Sequence, residues 1–197
     1  EPKKDMTISI IMATMREKYI DRVLENLARQ NYKNKEIIFV TQNFTPNGIL
    51  KLKQGMSKLT GYFNTKVIEN NSEITLGERL NLAAQSASGD LIAKMDDDDF
   101  YFENYLSDMV LPFKCGDYAV VGKAENFVYL EGLDQTVLLR EGRAANREME
   151  FVAGPTLVIK KTVFDRLEGF LPLNRGEDST LIKRVLEQGG KVYSSDP

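Results

Sequence analysis

The fold turns on "TLGERLNLAAQSASGDLIAKMDDDD" (Thr75–Asp99). Thr75–Ala87 reads as a helix, and Gly89 is a suitable residue to stop it. Asp90–Met95, "DLIAKM", then reads as a short buried strand. Four consecutive aspartates, Asp96–Asp99, follow it directly. Adjacent carboxylates repel, and burying them without compensation is expensive. Such a run at the end of a strand needs an explanation.

Working towards the amino terminus, the same alternation repeats. "TISIIMAT" (Thr7–Thr14), "EIIFVTQ" (Glu36–Gln42) and "TKVIE" (Thr65–Glu69) read as strands. Between them, Ile20, Val23, Leu24 and Leu27 fall at helical spacing, as do Ile49, Leu52, Met56 and Leu59. Strands alternating with helices of this length predict a parallel sheet covered on both faces. In such sheets ligands bind beyond the carboxyl ends of the strands, where Asp96–Asp99 lie.

Towards the carboxyl terminus the pattern changes. "NYLSDMVLPF" predicts a helix. The Val-, Tyr- and Leu-rich stretch from Tyr118 to Glu141 predicts two or three antiparallel strands. "FVAGPTLVIKK" is a strand interrupted at Gly-Pro. A short helix follows, with Thr162 as its cap. "STLIKRVLEQGG" is an amphipathic helix ending at Gly189, and "KVYSS" a last strand. The expected class is therefore α/β: a Rossmann-like, mostly parallel sheet with helices on both faces and a small mixed or antiparallel second half. We expect one domain over residues 1–197, with residues 1–100 the nucleotide-type half and 101–197 the mixed half. The start at Glu1 and the ending "VYSSDP" read as cuts, so we expect a piece of a longer protein.

Composition narrows the chemistry. A net charge of −3 with no basic patch argues against nucleic acid as a partner. No run approaches the roughly 18 apolar residues that span a membrane. The single cysteine, Cys115, reads as a half-buried helix-end residue and fits a reducing compartment. The chain has no histidine, which excludes a Ser-His-Asp triad within it. A general base must then be a carboxylate, Lys or Tyr.

Three readings of Asp96–Asp99 stand. A hard divalent cation, held by one or two carboxylates and by substrate phosphates, would relieve the repulsion. Side chains alternate along an extended segment, so Asp96 and Asp98 would share one side. A solvated acidic turn is the second reading. A Ca²⁺ loop is the third, without the glycine and ligand spacing of an EF-hand. Glu177 and Asp178, in "NRGEDSTLIKRV", either complement a helix N-terminus or supply a base.

Four stretches carry a resemblance to a known family: "ISIIMATMREKYIDRVLENLARQNYKNKEIIFVTQ", "LGERLNLAAQSASGDLIAKMDDDD", "AGPTLVIKKTVFDRLEGF" and "RGEDSTLIKRVLEQGGKVY". In order and spacing the chain resembles the GT-A-fold glycosyltransferases of the large inverting family two. The resemblance implies a transferase taking a sugar from a nucleoside-diphosphate sugar, a UDP-sugar foremost, to a hydroxyl of an acceptor such as a cell-surface glycan. It implies Mn²⁺ or Mg²⁺ on Asp98 with Asp96, and Asp96 and Asp97 near the donor's ribose or sugar. It also implies Thr14 and Gln42 near the nucleotide base, and Asn81 and Arg79 on the donor side. Asp178 would be the catalytic base, with Glu177 on the acceptor. It further implies a bacterial polysaccharide pathway and a cytoplasmic location, at the inner face of the membrane through other parts of the parent chain. The family's acidic residue after the second strand is replaced here by Thr41 and Gln42. That departure leaves a second class open, a degenerate domain that binds nucleotide sugar or carbohydrate without turnover. A nucleotidyltransferase is disfavoured, because "ATMREKY" lacks the glycine-rich loop. Tyr129 and the segment Arg140–Glu150 are expected near the acceptor, and Phe100–Phe102 to stack on a sugar or pack in the core.

Overall fold

Seven residues, Ile8–Thr14, form β1, and all but Ala13 are buried. The computed structural model describes residues 5–124, 126–139 and 145–196. β1 lies between two parallel neighbours, β2 (Lys35–Gln42) and β4 (Leu91–Lys94). β3 (Tyr62–Asn70) extends the parallel array beyond β2. The helices between them are α1 (Ile20–Arg29), α2 (Pro46–Met56) and α3 (Leu76–Gln85). α3 is closed at its start by a capping box, in which Thr75 and Glu78 satisfy each other's backbone N–H.

The second half joins the same sheet. α4 (Tyr105–Cys115) leads to β5 (Val120–Gly122), and β6 (Asn126–Leu130) pairs with β7 (Gln135–Leu139) in a separate antiparallel hairpin. β8 (Arg147–Glu148), β9 (Val158–Lys160), α5 (Lys161–Arg166), α6 (Glu177–Glu187) and β10 (Val192–Ser194) complete the described elements. The strand order is β3-β2-β1-β4-β9-β5-β10-β8. β9 runs antiparallel to both β4 and β5 and links the two halves.

Alternation along the strands feeds two cores. Ile10, Met12, Ile37 and Phe39 pack with α1, α2 and α4. Ile11, Ile38, Val40 and Ile92 pack with α3, α5 and α6. Burying a side chain such as Phe39 contributes about 1.5–3 kcal/mol. The chain passes from β1 to β2 on one side and returns to β4 on the other. The strand order therefore reverses beside β1, and a crevice opens at the carboxyl ends of β1 and β4.

Several local expectations need correction. α3 ends at Gln85, so Gly89 does not stop it. A side chain at Gly89 would lie 2.7 Å from the Ser9 backbone nitrogen, so the glycine allows close packing on β1. Thr162 lies inside α5, whose N-cap is Lys160 without a side-chain bond. Of the expected antiparallel strands, β6 and β7 pair antiparallel, while β5 pairs antiparallel with β9 and parallel with β10. Cys115 does end a helix but is exposed. Residues 140–144 of the expected acceptor segment lie outside the described residues. Among the described residues no helix is long and apolar enough to cross a membrane.

Candidate active site

The aspartate run occupies the crevice end of β4, and α1 holds its backbone. Arg22 Nη1 donates to Asp98 O at 3.2 Å, and Asn26 Nδ2 donates to Asp99 O at 2.8 Å. Asn26 Oδ1 accepts from Tyr101 N, and Gln30 Nε2 donates to Phe102 O. Tyr101 is buried, accepts from Asp96 N at 2.8 Å and donates to Pro155 O at 2.9 Å. The backbone of the aspartate loop and of the two residues after Phe100 is thus held by neutral amides, a phenol and the guanidinium groups of Arg22 and Arg29.

The four aspartates have different surroundings. Asp97 is 3% exposed and accepts from Arg16 Nε at 3.1 Å, from Arg16 Nη2 and from the Thr14 hydroxyl. Asp98 is exposed, and its Oδ2 accepts from Arg16 Nη1 at 2.9 Å. Those contacts, the Asp97 hydrogen bond first, push the Arg16 guanidinium up. Asp96 pairs with Lys94 Nζ at 3.0 Å, yet burial pushes its carboxyl up. Burial and the neighbouring Asp96 and Asp98 push Asp99 up to about 6.

Lys94 joins this loop to the other end of the chain. Its side chain is 3% exposed, with Glu177 Oε1 at 3.6 Å and Asp178 Oδ2 at 4.0 Å from the same ammonium that meets Asp96. Burial pulls Lys94 down, but the surrounding carboxylates, Asp96 foremost, leave it net raised. Glu177 and Asp178 form the first turn of α6, whose N-cap is Gly176 at φ 76°. Asp178 Oδ1 accepts from Ser179 N at 2.6 Å. Gly154 makes room for the other oxygen: a Cβ there would fall 1.4 Å from Asp178 Oδ2.

The residues expected on the donor side divide. Arg79 is 7% exposed, with Nε and Nη1 unpartnered, and burial lowers its basicity. Gln42 is 1% exposed; its Nε2 donates to Glu73 at 3.4 Å, while Oε1 has no partner. Glu73 also accepts from Asn43 Nδ2. Buried polar atoms without partners are costly unless a ligand meets them. Thr14 ties Asp97 to the Arg16 backbone. Asn81 is spent on both backbone groups of Phe170, at 2.8 and 2.9 Å, and joins α3 to that turn. Phe100 and Phe102 are exposed, and Tyr129 is exposed with its hydroxyl on Asp134.

Among the described residues no group of three or more His, Cys, Asp or Glu side chains is placed to hold a metal. The donor set nonetheless suits a hard cation held incompletely by protein. The candidate donor atoms are all oxygen, and burial together with the neighbouring carboxylates raises Asp99. One or two carboxylates with a diphosphate completing the shell is a common Mg²⁺ arrangement. Sequence reasoning missed Arg16, Lys94, Asn26 and Glu73. Lys94 carried a usable signal, because a lysine inside a buried strand must be paired.

The chain is 27% identical over 195 residues to the putative glycosyltransferase EpsE of Bacillus subtilis, covering 95% of this chain and 69% of that one. It is 25% identical over 186 residues to the O-antigen biosynthesis glycosyltransferase WbnJ of Escherichia coli, covering 92% and 72%. Among solved structures, the mannosyltransferase PcManGT from Pyrobaculum calidifontis, in complex with GDP-Man and Mn²⁺, aligns with a TM-score of 0.78 at 17% identity, over 98% of this chain and 56% of that one. S. aureus TarS 1-349 in complex with UDP-GlcNAc aligns with a TM-score of 0.72 at 19% identity, over 97% and 57%. The chain thus spans a little over half the length of these solved neighbours, and their likeness establishes the expected GT-A-type α/β fold. The model described as glycosyl transferase family 2 matches residues 9–165, and the chain belongs to that family.

Proposed function

We propose that this chain is a metal-dependent, inverting glycosyltransferase domain. It moves a sugar from a nucleoside-diphosphate sugar, a UDP-sugar foremost, to a hydroxyl of a glycan acceptor. The observation that carries this reading is the convergence on Lys94: Asp96 of the donor loop and Asp178 of α6 meet one buried ammonium. Residues far apart in sequence thereby form one site at the crevice.

Asp178 takes the proton of the acceptor hydroxyl as that oxygen bonds to the anomeric carbon. The bond from that carbon to the diphosphate breaks on the opposite face, which inverts configuration. Asp98, with Asp96, would hold Mn²⁺ or Mg²⁺, which when bound supplies charge neutralisation to the leaving diphosphate. The free N–H groups of Arg79 face a need for anionic oxygens. Gln42 Oε1 suits a ring N–H, which uracil and guanine carry and adenine and cytosine lack. Glu177 lies beside the base and would orient the acceptor. Asn81 would act by setting the Phe170 turn rather than by touching the donor.

The names of the relatives EpsE and WbnJ support an acceptor in bacterial polysaccharide biosynthesis. We place the work on the cytoplasmic side of the membrane, and we read both halves of the chain as one domain of a longer protein. The test is calorimetric titration of UDP, GDP and the other nucleoside diphosphates, with and without Mn²⁺, on the wild type and Asp98→Ala. One nucleotide binding only with Mn²⁺, and not to the variant, is expected. Absence of binding by every nucleotide overturns the reading.

A further inference from the structure

The carboxylate best exposed for a cation, Asp98, is already paired. Arg16 reaches it from the loop after β1, and its three kinds of guanidinium nitrogen divide the work. Nε and Nη2 bind Asp97, which is 3% exposed, while Nη1 binds Asp98 Oδ2 at 2.9 Å. The guanidinium also lies over the Tyr19 ring, 4.9 Å from its centroid, and the Arg16 backbone N–H donates to Thr14 Oγ1 at 2.9 Å. The two ion pairs differ in kind. The Asp97 pair is two-pronged and half sheltered. The Asp98 pair joins side chains that are 41% and 47% exposed. An exposed pair is weak, and letting go of it leaves Arg16 anchored and neutralised by Asp97.

We propose that Arg16 is the built-in counter-cation of this site: it closes Asp98 to a free divalent cation and releases it when a metal–diphosphate pair arrives. This rests on the cation and diphosphate reading given above. A free dication must displace Nη1 and then sit against a guanidinium that cannot lose its charge. A dication carrying a diphosphate brings anionic oxygens that the freed Nη1 can bind. Metal and nucleotide therefore bind together far better than metal alone. The arrangement also neutralises the crowded aspartates Asp97 and Asp98.

The experiment measures Mn²⁺ binding to the 197-residue chain without nucleotide, from the loss of the free-ion electron paramagnetic resonance signal. Wild type is expected to bind weakly, and Arg16→Gln to bind roughly three- to tenfold more tightly, the size of one exposed ion pair plus one removed repulsion. Arg16→Lys, which keeps a charge near Asp98, is expected between the two. Mn²⁺ affinity that is unchanged or lower in Arg16→Gln overturns the proposal. A second measurement needs no variant that must fold: nitrogen-15 spectra of the arginine side chains in wild type. The Arg16 signal is expected to move with Mg²⁺ and UDP together and to stay put with Mg²⁺ alone. A signal unmoved by the pair, or moved fully by Mg²⁺ alone, also overturns it. If Asp98→Ala binds Mn²⁺ and UDP as well as wild type, the site reading itself fails. If that variant loses binding but Arg16→Gln gains none, only the role of Arg16 fails.

Discussion

Lys94 shows how much one side chain can decide. A lysine ammonium enclosed by Asp96, Glu177 and Asp178 is tolerable only because the carboxylates are there, and they are tolerable only because of it. Lys94→Met leaves three acids facing one another. We expect it to lower stability by about 3–5 kcal/mol, read from denaturant midpoints, with Lys94→Arg recovering part of the loss. A loss under 1 kcal/mol would mean the ammonium is not the counter-charge. Asp178 is open to a chemical test. Asp178→Asn keeps the shape and removes the base, so kcat should fall by about 10²- to 10⁴-fold while nucleotide affinity measured by calorimetry stays the same. A parallel loss of nucleotide affinity would assign Asp178 to donor binding instead. At this scale the acids were legible in the sequence, because four in a row and an adjacent Glu-Asp pair have no ordinary place in a core. Their cations were not. Arg16 lies 81 positions from Asp97, and nothing local in "ATMREKY" announces the partner. Glu73 was equally hidden: it sits on the loop before α3 and reaches the end of β2 only through the fold.

At the scale of elements, strands β1, β2 and β4 were legible because short apolar runs bounded by polar residues, alternating with helical stretches, fit buried parallel strands. The second half was less so. Val120–Gly122 and Val158–Lys160 are three-residue strands whose partners depend on where distant strands lie. Short runs carry no periodicity that separates parallel from antiparallel pairing. Two contacts between elements give tests. Glu36 on β2 accepts from Ser9 Oγ of β1 at 2.6 Å, from Ser88 N at 2.7 Å and from Asn64 Nδ2 of β3 at 3.0 Å. Burial pushes its carboxyl up, but these donors outweigh burial and hold it below its usual 4.5. A depressed folded value means stability that is present above 4.5 and lost as pH falls through the lower folded value. Glu36→Gln should therefore cost roughly 1.5–3 kcal/mol at pH 7, and the difference should shrink below pH 4.5. A gap constant across that range would show that the charge is not what binds the strands. The second contact is the turn before β9. Gly154→Ala would drive a methyl into Asp178 Oδ2, so the carboxylate must move off the site. We expect transfer to be nearly abolished with nucleotide binding intact; full activity would place the base elsewhere.

For the whole molecule, the sheet order sets what must unfold together. β9 lies between β4 of the first half and β5 of the second, antiparallel to both, so the sheet runs on from the residues before 100 to those after. The two cores on opposite faces each draw strands from both halves: Ile10 and Val121 share one, Ile38 and Val120 the other. The β6–β7 hairpin is different. Among the described residues it pairs only with itself, and it exposes Phe127, Tyr129 and Leu139. Opening free energy follows buried apolar contact and backbone pairing. Amide exchange should then be slowest in β1, β2 and β4 and fastest, among the strands, in β6 and β7. Thermal unfolding should show one transition for all the rest of the chain. Saturating UDP with Mn²⁺, at about 100 times the dissociation constant, should raise that single transition by the equivalent of about 2.7 kcal/mol. The shift should vanish in Asp98→Ala, since binding at the crevice is felt by the entire sheet or not at all. Two separate transitions, with only the first moved by nucleotide, would divide the chain near residue 100 and overturn the single-domain reading. It would also leave Asp178 on a unit that the donor does not stabilise, which the shared Lys94 forbids.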